Sequence, residues 1–542
     1  MHFPANLCCA LTFAAALLPA VVFAQPGAPT RVFSLLHPAD YHHYILKFAA
    51  QEVEATHQTP PDEWPWLEAN IPLFDSSNKQ FEEMYYFRWF AWEKHVVKTS
   101  HGYLITEWLP KPQRPNYGVL PDAAPFHLGE ARWLRNAQIA EDYARYWISP
   151  GARPREYSFA LATSVRDVTL ATGNFRLGTS MLPGLIANYQ DWQATQFDPS
   201  VGLFWSIDTR DAMEKSISGD GYRPTLNSYM VGDARSIADF ARMAGERKIA
   251  DEYAAKADTL EHLIETRLWN PEDEFYEVMS PAADSGIRKQ KKFKDNGTVL
   301  KLSGVRELIG YIPWEYYKPT PSHGIAWEQL FNPEGFAGKY GPTTAERRSP
   351  RFRFASSDQC TWNGPSWPYA TTQTLLALAN LLNGPRQRYI GERQYYQLFS
   401  NYVLGQHLKL ADGHTIDWID EDLDADTDEW IAKTMLIAKH SKQVGRGNYY
   451  NHSGFADPLI TGLIGLRPRA DAKLVIRPLL PPGEWSYFAI DGLPYHGHFL
   501  TIVYDETGKH YHRGRGLAVY VDGRKLASRA TLGPLEAELT DR

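Results

Sequence analysis

CTWNGPSWPYATTQTLLALANLLN, residues 360–383, decides how the chain is read. From Ala370 to Leu382 apolar residues cover almost every side of a helix, and such a helix has to be enclosed by protein all round. IADEYAAKADTLEHLIET, residues 249–266, is the contrasting type, apolar on one face and charged on the other. That is the pattern of a helix lying between a core and water. The two types alternate over residues 38–470, separated by long loops rich in Gly, Pro and Trp. The alternation predicts inner helices shielded by an outer ring of helices. Within it, DSSNKQFEEMYYFRWFAWEKHVVK predicts a helix capped near Ser76 or Ser77, and LGEARWLRNAQIAEDYARYWI reads as one helical stretch.

From about residue 471 the pattern changes to short alternating apolar runs broken by Pro-Pro, Asp-Gly and Thr-Gly, the signature of strands and turns. The expected organisation is a signal peptide over 1–24, a linker over 25–37, a helical domain over 38–470 and a C-terminal β-domain over 471–542. The leader is read from the uncharged run Leu11–Ala24, which ends in small residues and is short for a membrane span. It makes the mature chain secreted or periplasmic, without a membrane span. Cys8 and Cys9 leave with the leader, so Cys360 remains alone and forms no internal disulfide. The net charge of −7, with both signs interspersed, gives no footprint for nucleic acid. The 17 Trp suit a carbohydrate partner, because the apolar faces of sugar rings stack on aromatic rings.

Four segments could carry chemistry. DAMEKSISGDGYRPTLN, residues 211–227, places Asp211, Glu214 and Asp220 near Tyr222, Arg223 and Asn227; its plainer reading is a surface loop with Asn227 or Ser228 as a helix cap. In residues 360–383, Trp362, Asn363 and Trp367 bracket a Gly-Pro turn before the enclosed helix. Around Trp418, Asp420 and Glu421 are site candidates. Asp422, Asp424, Asp426 and Asp428 alternate but lack the Gly and Glu of a helix-loop-helix calcium loop. In GRGNYYNHSGF, Tyr449, Tyr450, Asn451 and His452 precede the last apolar helix. Arg88, Trp89, His127, Glu130, Arg132 and Trp133 mix aromatic and charged groups at helix ends and are expected to reach the same cleft. No phosphate loop, dinucleotide fingerprint, nucleophile elbow or zinc pattern is present, and no cofactor or metal is expected.

At these four segments the sequence resembles the six-hairpin glycosidases of the mannosylglycerate-hydrolase-like and processing-glucosidase-like group. WNGPSWPYA is the most specific match. The resemblance implies a mainly α fold, an (α/α)6 toroid with a small C-terminal β-sandwich-like domain, and an inverting, exo-acting glycoside hydrolase. It puts AMEKS where the family carries Gly-Met-Asp-Asn-Ser, and so Glu214 in the general-acid role, with Asp211 as competitor. The family's Glu-x-Tyr-Asn base motif is here Asn448-Tyr449-Tyr450-Asn451, and Asn448 cannot take a proton. Glu421 is then the first choice for the base and Asp420 the second. Two rival readings stand beside it: a polysaccharide lyase using Tyr449, Tyr450, Asn451 and His452, and a glycan-binding protein without activity. Because an arginine salt bridge would lower the acid's proton affinity, Arg223 is expected to contact substrate or Asp220 and not Glu214.

Overall fold

The computed structural model describes residues 32–109, 118–281, 299–355 and 360–539; the leader expected over 1–24 lies outside them. The two helix types are found as read. Pro368–Asn383 starts with Pro at its first turn, where the missing N–H has no helical partner to lose, and it buries residues on every side, Tyr369, Thr371, Gln373, Leu375 and Leu378 among them. Arg247–Arg267 buries only Ala250, Tyr253, Ala257, Leu260 and Ile264, one stripe at spacings of three and four. It packs on Pro224–Met243, which is buried over most of its length.

Neighbour contacts close a ring. It runs from Ala124–Ala131 through Leu161–Thr172, Pro224–Met243, the short helical turns of 308–316, Pro368–Asn383 and the turns of 456–463, then back to Ala124–Ala131. This is the inner ring of an (α/α)6 toroid, and Phe175–Gln196, Arg247–Arg267 and Glu392–Leu404 lie outside it. The sixth inner position is short, Ala456–Pro458 followed by a π-helical turn at Leu459–Leu463. Its free N–H groups, at Phe455, Ala456 and Asp457, are satisfied by the Glu130 carboxylate at 2.9–3.0 Å.

Three local expectations are corrected. Asn78 caps Lys79–Glu93, accepting from the N–H groups of Gln80 and Phe81, because Ser76 already belongs to the strand Leu73–Ser76. The stretch read as one helix over 128–148 is two, Ala124–Ala131 and Gln138–Tyr146; the turn between them lets Arg132 and Trp133 both reach Asp457. Asn227 and Ser228 do not cap a helix, since Pro224 already starts it.

The C-terminal strands Tyr487–Tyr495, His498–Asp505, Gly516–Val521 and Arg524–Arg529 form an antiparallel sheet, and Leu73–Ser76 joins its edge through Tyr487–Tyr495. Lys473–Ile476 pairs separately with Leu535–Glu538. Within the segment read as a linker, the N–H groups of Ser34, Leu35 and Leu36 donate to the buried Asp491 carboxylate of this sheet. The sheet is thus fastened to the N-terminal part of the described chain. Among the described residues no helix is long and apolar enough to cross a membrane.

Candidate active site

The segments that lead into four inner helices meet at one end of the ring. The loop before Pro224–Met243 carries Glu214, whose carbonyl accepts the Trp362 N–H at 3.0 Å. This bond docks it on the loop before Pro368–Asn383. From that loop the Cys360 thiol donates to Glu214 Oε2 at 3.3 Å. Tyr369 donates to the Asp122 carbonyl at 3.2 Å, tying in the start of Ala124–Ala131. Tyr157, just ahead of Leu161–Thr172, lies within electrostatic reach of Asp122 and Glu214.

Glu421 enters from a loop between Thr415–Asp417 and Ile431–Ala438. Arg446 donates to its carboxylate, and the His452 ring nitrogen Nε2 lies 3.2 Å from its carbonyl. His452 is walled by Trp367, Tyr369 and Tyr450, with ring centroids 5.8, 6.2 and 4.3 Å away. Trp362 stacks on Trp367 at 4.6 Å. Tyr450 donates to Glu107 Oε1 at 2.5 Å. The base of the site, Glu107, Asp122, Glu421 and His452, is buried, while Trp108, Tyr157, Glu214, Cys360 and Arg446 are partly open to solvent.

Four carboxyl groups therefore share one small region. Burial raises the proton affinity of each. It lifts Glu107 well above the usual carboxyl range, with Asp122 adding to the effect, and lifts Asp122 to about 7, with Glu214 adding. It also raises Glu214 and Glu421. The last two differ in what opposes burial. At Glu421 it is chiefly the Arg446 guanidinium; at Glu214 it is first the residue's own N–H and the Cys360 thiol, with Arg446 adding less. Glu421 and Glu214 each feel the other's charge, and Cys360 feels both.

Of the residues singled out from sequence, Glu214, Glu421, Trp362, Trp367, Tyr450 and His452 meet here. Asn363 lies in the same loop, fully buried, and its amide has no hydrogen-bond partner among the described residues. Asp420 is next to the site but faces Trp418 Nε1 and Lys433, and Trp418 lies under the Lys433 ammonium.

The others are engaged elsewhere. Asp211 forms a fully buried ion pair with Arg223, 2.5 Å long, and accepts from Ser206 and Thr225. Arg223 also holds the Ser216 hydroxyl and the Gly219 carbonyl. It therefore shapes the Glu214 loop from behind and contacts neither Glu214 nor Asp220. Asp220 accepts from the Asp208 N–H, Tyr222 donates to Asp198, and Asn227 bonds both the N–H and the C=O of Phe204.

Arg88 braces Tyr402, Gln406 and Ser453, and Trp89 packs against Trp92. His127 bridges Tyr143 and the Asn451 carbonyl; burial pulls its pKa down to about 3, so it is neutral. Asn451 bonds the backbone on either side of Glu107, and Tyr449 turns its ring to Trp418 and its carbonyl to His95. Asp424 and Asp426 pair with Arg353 and Arg347.

Glu107, Asp122, Tyr157, Cys360 and Arg446 were missed. Glu107, Asp122 and Tyr157 stand singly in loops, with none of the clustering that marks a motif, while Cys360 and Arg446 lie inside CTWNGPSWPYA and GRGNYYNHSGF beside the aromatic and polar residues that marked those segments. The one usable signal was Glu107-Trp108, an acid beside an aromatic residue. A cavity of about 640 Å³ lies at the other ends of the inner helices, lined by Arg132, Asp167, Glu315, Asp457 and Arg467; it contains none of the four clustered acids.

The family model of the mannosylglycerate hydrolase MGH1-like glycoside hydrolase domain matches residues 116–453, and that of the glycosyl hydrolase family 65 C-terminal domain matches 466–527. Among solved structures, a chain titled sialidase is 35% identical over 95% of this chain, with a TM-score of 0.84. The present chain covers 46% of it and so spans less than half its length. An α-L-rhamnosidase of Streptomyces avermitilis in complex with L-rhamnose, 10% identical over 86% of this chain and 41% of its own, with a TM-score of 0.50, shares the fold alone. A mannosylglycerate hydrolase of Thermus thermophilus in complex with glucose matches 69% of this chain and 98% of its own, with 12% identity and a TM-score of 0.48.

Proposed function

Since this chain belongs to the mannosylglycerate hydrolase MGH1-like glycoside hydrolases, we propose that it hydrolyses a glycosidic bond by general acid–base catalysis. Glu214 is the acid and Glu421 the base. The observation that carries this reading is the unequal surroundings of two carboxyl groups that feel each other's charge. Arg446 stabilises the ionised form of Glu421 through a direct ion pair, while Glu214 has a thiol, no ion pair among the described residues, and only the more distant charge of Arg446. Pairs whose environments push their proton affinities apart divide acid from base.

In the reaction Glu214 delivers its proton to the leaving oxygen as the bond from that oxygen to the anomeric carbon breaks. Glu421 takes a proton from the water whose oxygen bonds to the same carbon from the opposite face. The product is inverted and the two carboxyl groups end with their protons exchanged. This geometry requires about 6.5–9.5 Å between the carboxyl groups, enough to hold the water. The closed floor formed by Glu107, Asp122 and His452 suits a terminal sugar, hence exo action. Trp362 and Trp367 supply aromatic surface beside it. The leader-like run Leu11–Ala24 supports a secreted or periplasmic location.

The test is a panel of natural glycans and aryl glycosides, with proton NMR of the first product formed. Release of the inverted anomer supports the reading. Release of the retained anomer removes the inverting mechanism, and release of an unsaturated uronate replaces the hydrolase with a lyase.

A further inference from the structure

The acid of the reaction just described is gripped at two points by one loop. The Glu214 carbonyl accepts the Trp362 N–H at 3.0 Å, and two residues earlier in that loop the Cys360 thiol donates to Glu214 Oε2 at 3.3 Å. No other side chain among the described residues hydrogen-bonds this carboxyl group. The loop is itself pinned, because Trp367 Nε1 donates to the Thr361 carbonyl at 2.9 Å. Cys360 stands in the left-handed region, at φ 45°, where residues with a Cβ are uncommon; such a conformation persists where the surroundings fix it. Burial, with the charges of Glu214, Glu421 and Asp422, raises the thiol well above its usual range. The thiol therefore keeps its proton and has one to donate. A free Cys is most often a small apolar filler. One that faces the acid of the site with its proton retained is placed to act on that acid.

We propose that the Cys360 thiol is the positioning residue of the general acid, holding Oε2 as an acceptor so that the acidic proton sits on Oε1 and is delivered from there. The proposal rests on the acid–base reading above and adds a residue to it. A carboxylic acid has one carbonyl oxygen and one hydroxyl oxygen, and the carbonyl oxygen is the better acceptor. A donor fixed on Oε2 thus favours the form with the proton on Oε1. When that proton passes to the leaving oxygen, the O–H electron pair stays on the carboxyl group and Oε2 takes a share of the negative charge. The thiol keeps its own proton, and its bond to Oε2 strengthens, because hydrogen bonds to ionised acceptors are roughly twice as strong as neutral ones. A contact that strengthens as the proton moves lowers the barrier to moving it. The same contact stabilises ionised Glu214, so it lowers the proton affinity of the acid while easing the transfer. The other groups that face Glu214 are Asp208 on its own loop, Arg446, Glu421, Asp122, Glu107 and Tyr157. A change confined to Cys360 leaves all of them in place.

The experiment measures kcat/KM of the full chain against pH on glycosides with poor and with good leaving groups. It compares wild type, Cys360→Ala, Cys360→Gly and Cys360→Ser, each with and without Glu214→Gln and each checked by melting temperature. Gly suits the positive φ, so it removes the thiol without asking a side chain to hold that backbone; Ser keeps a donor. The expected result for Ala and Gly is a loss of about 3- to 10-fold on poor leaving groups, shrinking towards none on good ones, with the alkaline limb displaced to higher pH. Ser should restore the rate and bring the limb back. In the Glu214→Gln background none of the three should lower the rate further, since the thiol acts only through that carboxyl group. A purely structural role gives no reason for a lower rate joined to a higher alkaline limb. Folded Ala and Gly variants with wild-type rates and limbs overturn the proposal and leave the acid assignment intact. So does an equal loss on every leaving group, or a further loss in the Glu214→Gln background. A Glu214→Gln variant that keeps its rate on natural glycosides, or a wild type that cleaves no glycoside, overturns the acid–base reading and the proposal with it.

Discussion

Replacing Glu214 by Gln tests the division of labour most directly. Gln keeps the size of the side chain, and the Glu214 carbonyl stays docked on the Trp362 N–H, so the loop has no reason to move. The carboxyl group removed is bonded by a thiol and not by a buried cation, so no charge is left without its partner. The stability change should stay within about 1 kcal/mol. What is lost is the proton for the leaving oxygen. A positioned acid is worth about 10²–10⁴ in rate, which at about 1.36 kcal/mol per decade is roughly 3–5 kcal/mol of barrier. That loss should appear in full on natural glycosides. It should shrink on aryl glycosides with good leaving groups, which depart as stable anions without a proton.

The pH profile gives a second reading. Burial raises Glu214, so wild-type kcat/KM should fall at alkaline pH as Glu214 ionises; Glu214→Gln should lack that limb. The assay is kcat/KM against pH for a series of leaving groups, with melting temperature alongside. Near-normal rates on natural glycosides would remove Glu214 from the chemistry. An equal loss across all leaving groups would show that the change acts through the fold.

Asp211→Asn should behave in the opposite way, because it leaves Arg223 buried without its carboxylate. A loss of about 3–5 kcal/mol in stability is expected, read as a lowered melting temperature with activity lost in the same proportion on every substrate. Arg446→Met should raise the proton affinity of Glu421, whose chief opposing charge it removes. The acidic limb of kcat/KM should then move to higher pH, and the alkaline limb should move less; an unmoved acidic limb means that Glu421 is not the base. Asp233 is buried and lifted to about 7, against an unfolded value of about 3.9. Between those values the folded chain holds a proton that the unfolded chain has released, so this group's contribution to stability declines as pH rises through the window. The melting temperature of wild type minus that of Asp233→Asn should fall from pH 4 to pH 7, and a flat difference would show that Asp233 does not titrate there.

The helical ring was legible in the chain because burial leaves a periodic mark. A helix enclosed on all sides, such as Pro368–Asn383, has few positions for charge, and one that shields it, such as Arg247–Arg267, must charge its outer face. The change to period two after residue 471 reports the C-terminal strands for the same reason. Glu214, Glu421 and the Trp362–Trp367 pair were legible as polar and aromatic groups in loops ahead of enclosed helices.

The rest was decided by tertiary structure. Asp211 and Glu214 stand three residues apart with the same charge, yet one faces Arg223 inside the loop and the other faces Cys360 at the site. Tyr449 and Tyr450 are adjacent and point to different places, because Tyr449 takes a positive φ of 53° and throws the next side chain towards Glu107. Glu107 and Asp122 carry no motif at all. Their meaning comes from burial beside two other acids, and burial is set by segments hundreds of positions away. Composition and periodicity record how much of each helix is covered. Which side chain a covering segment meets is a matter of three-dimensional register, and no local pattern encodes it.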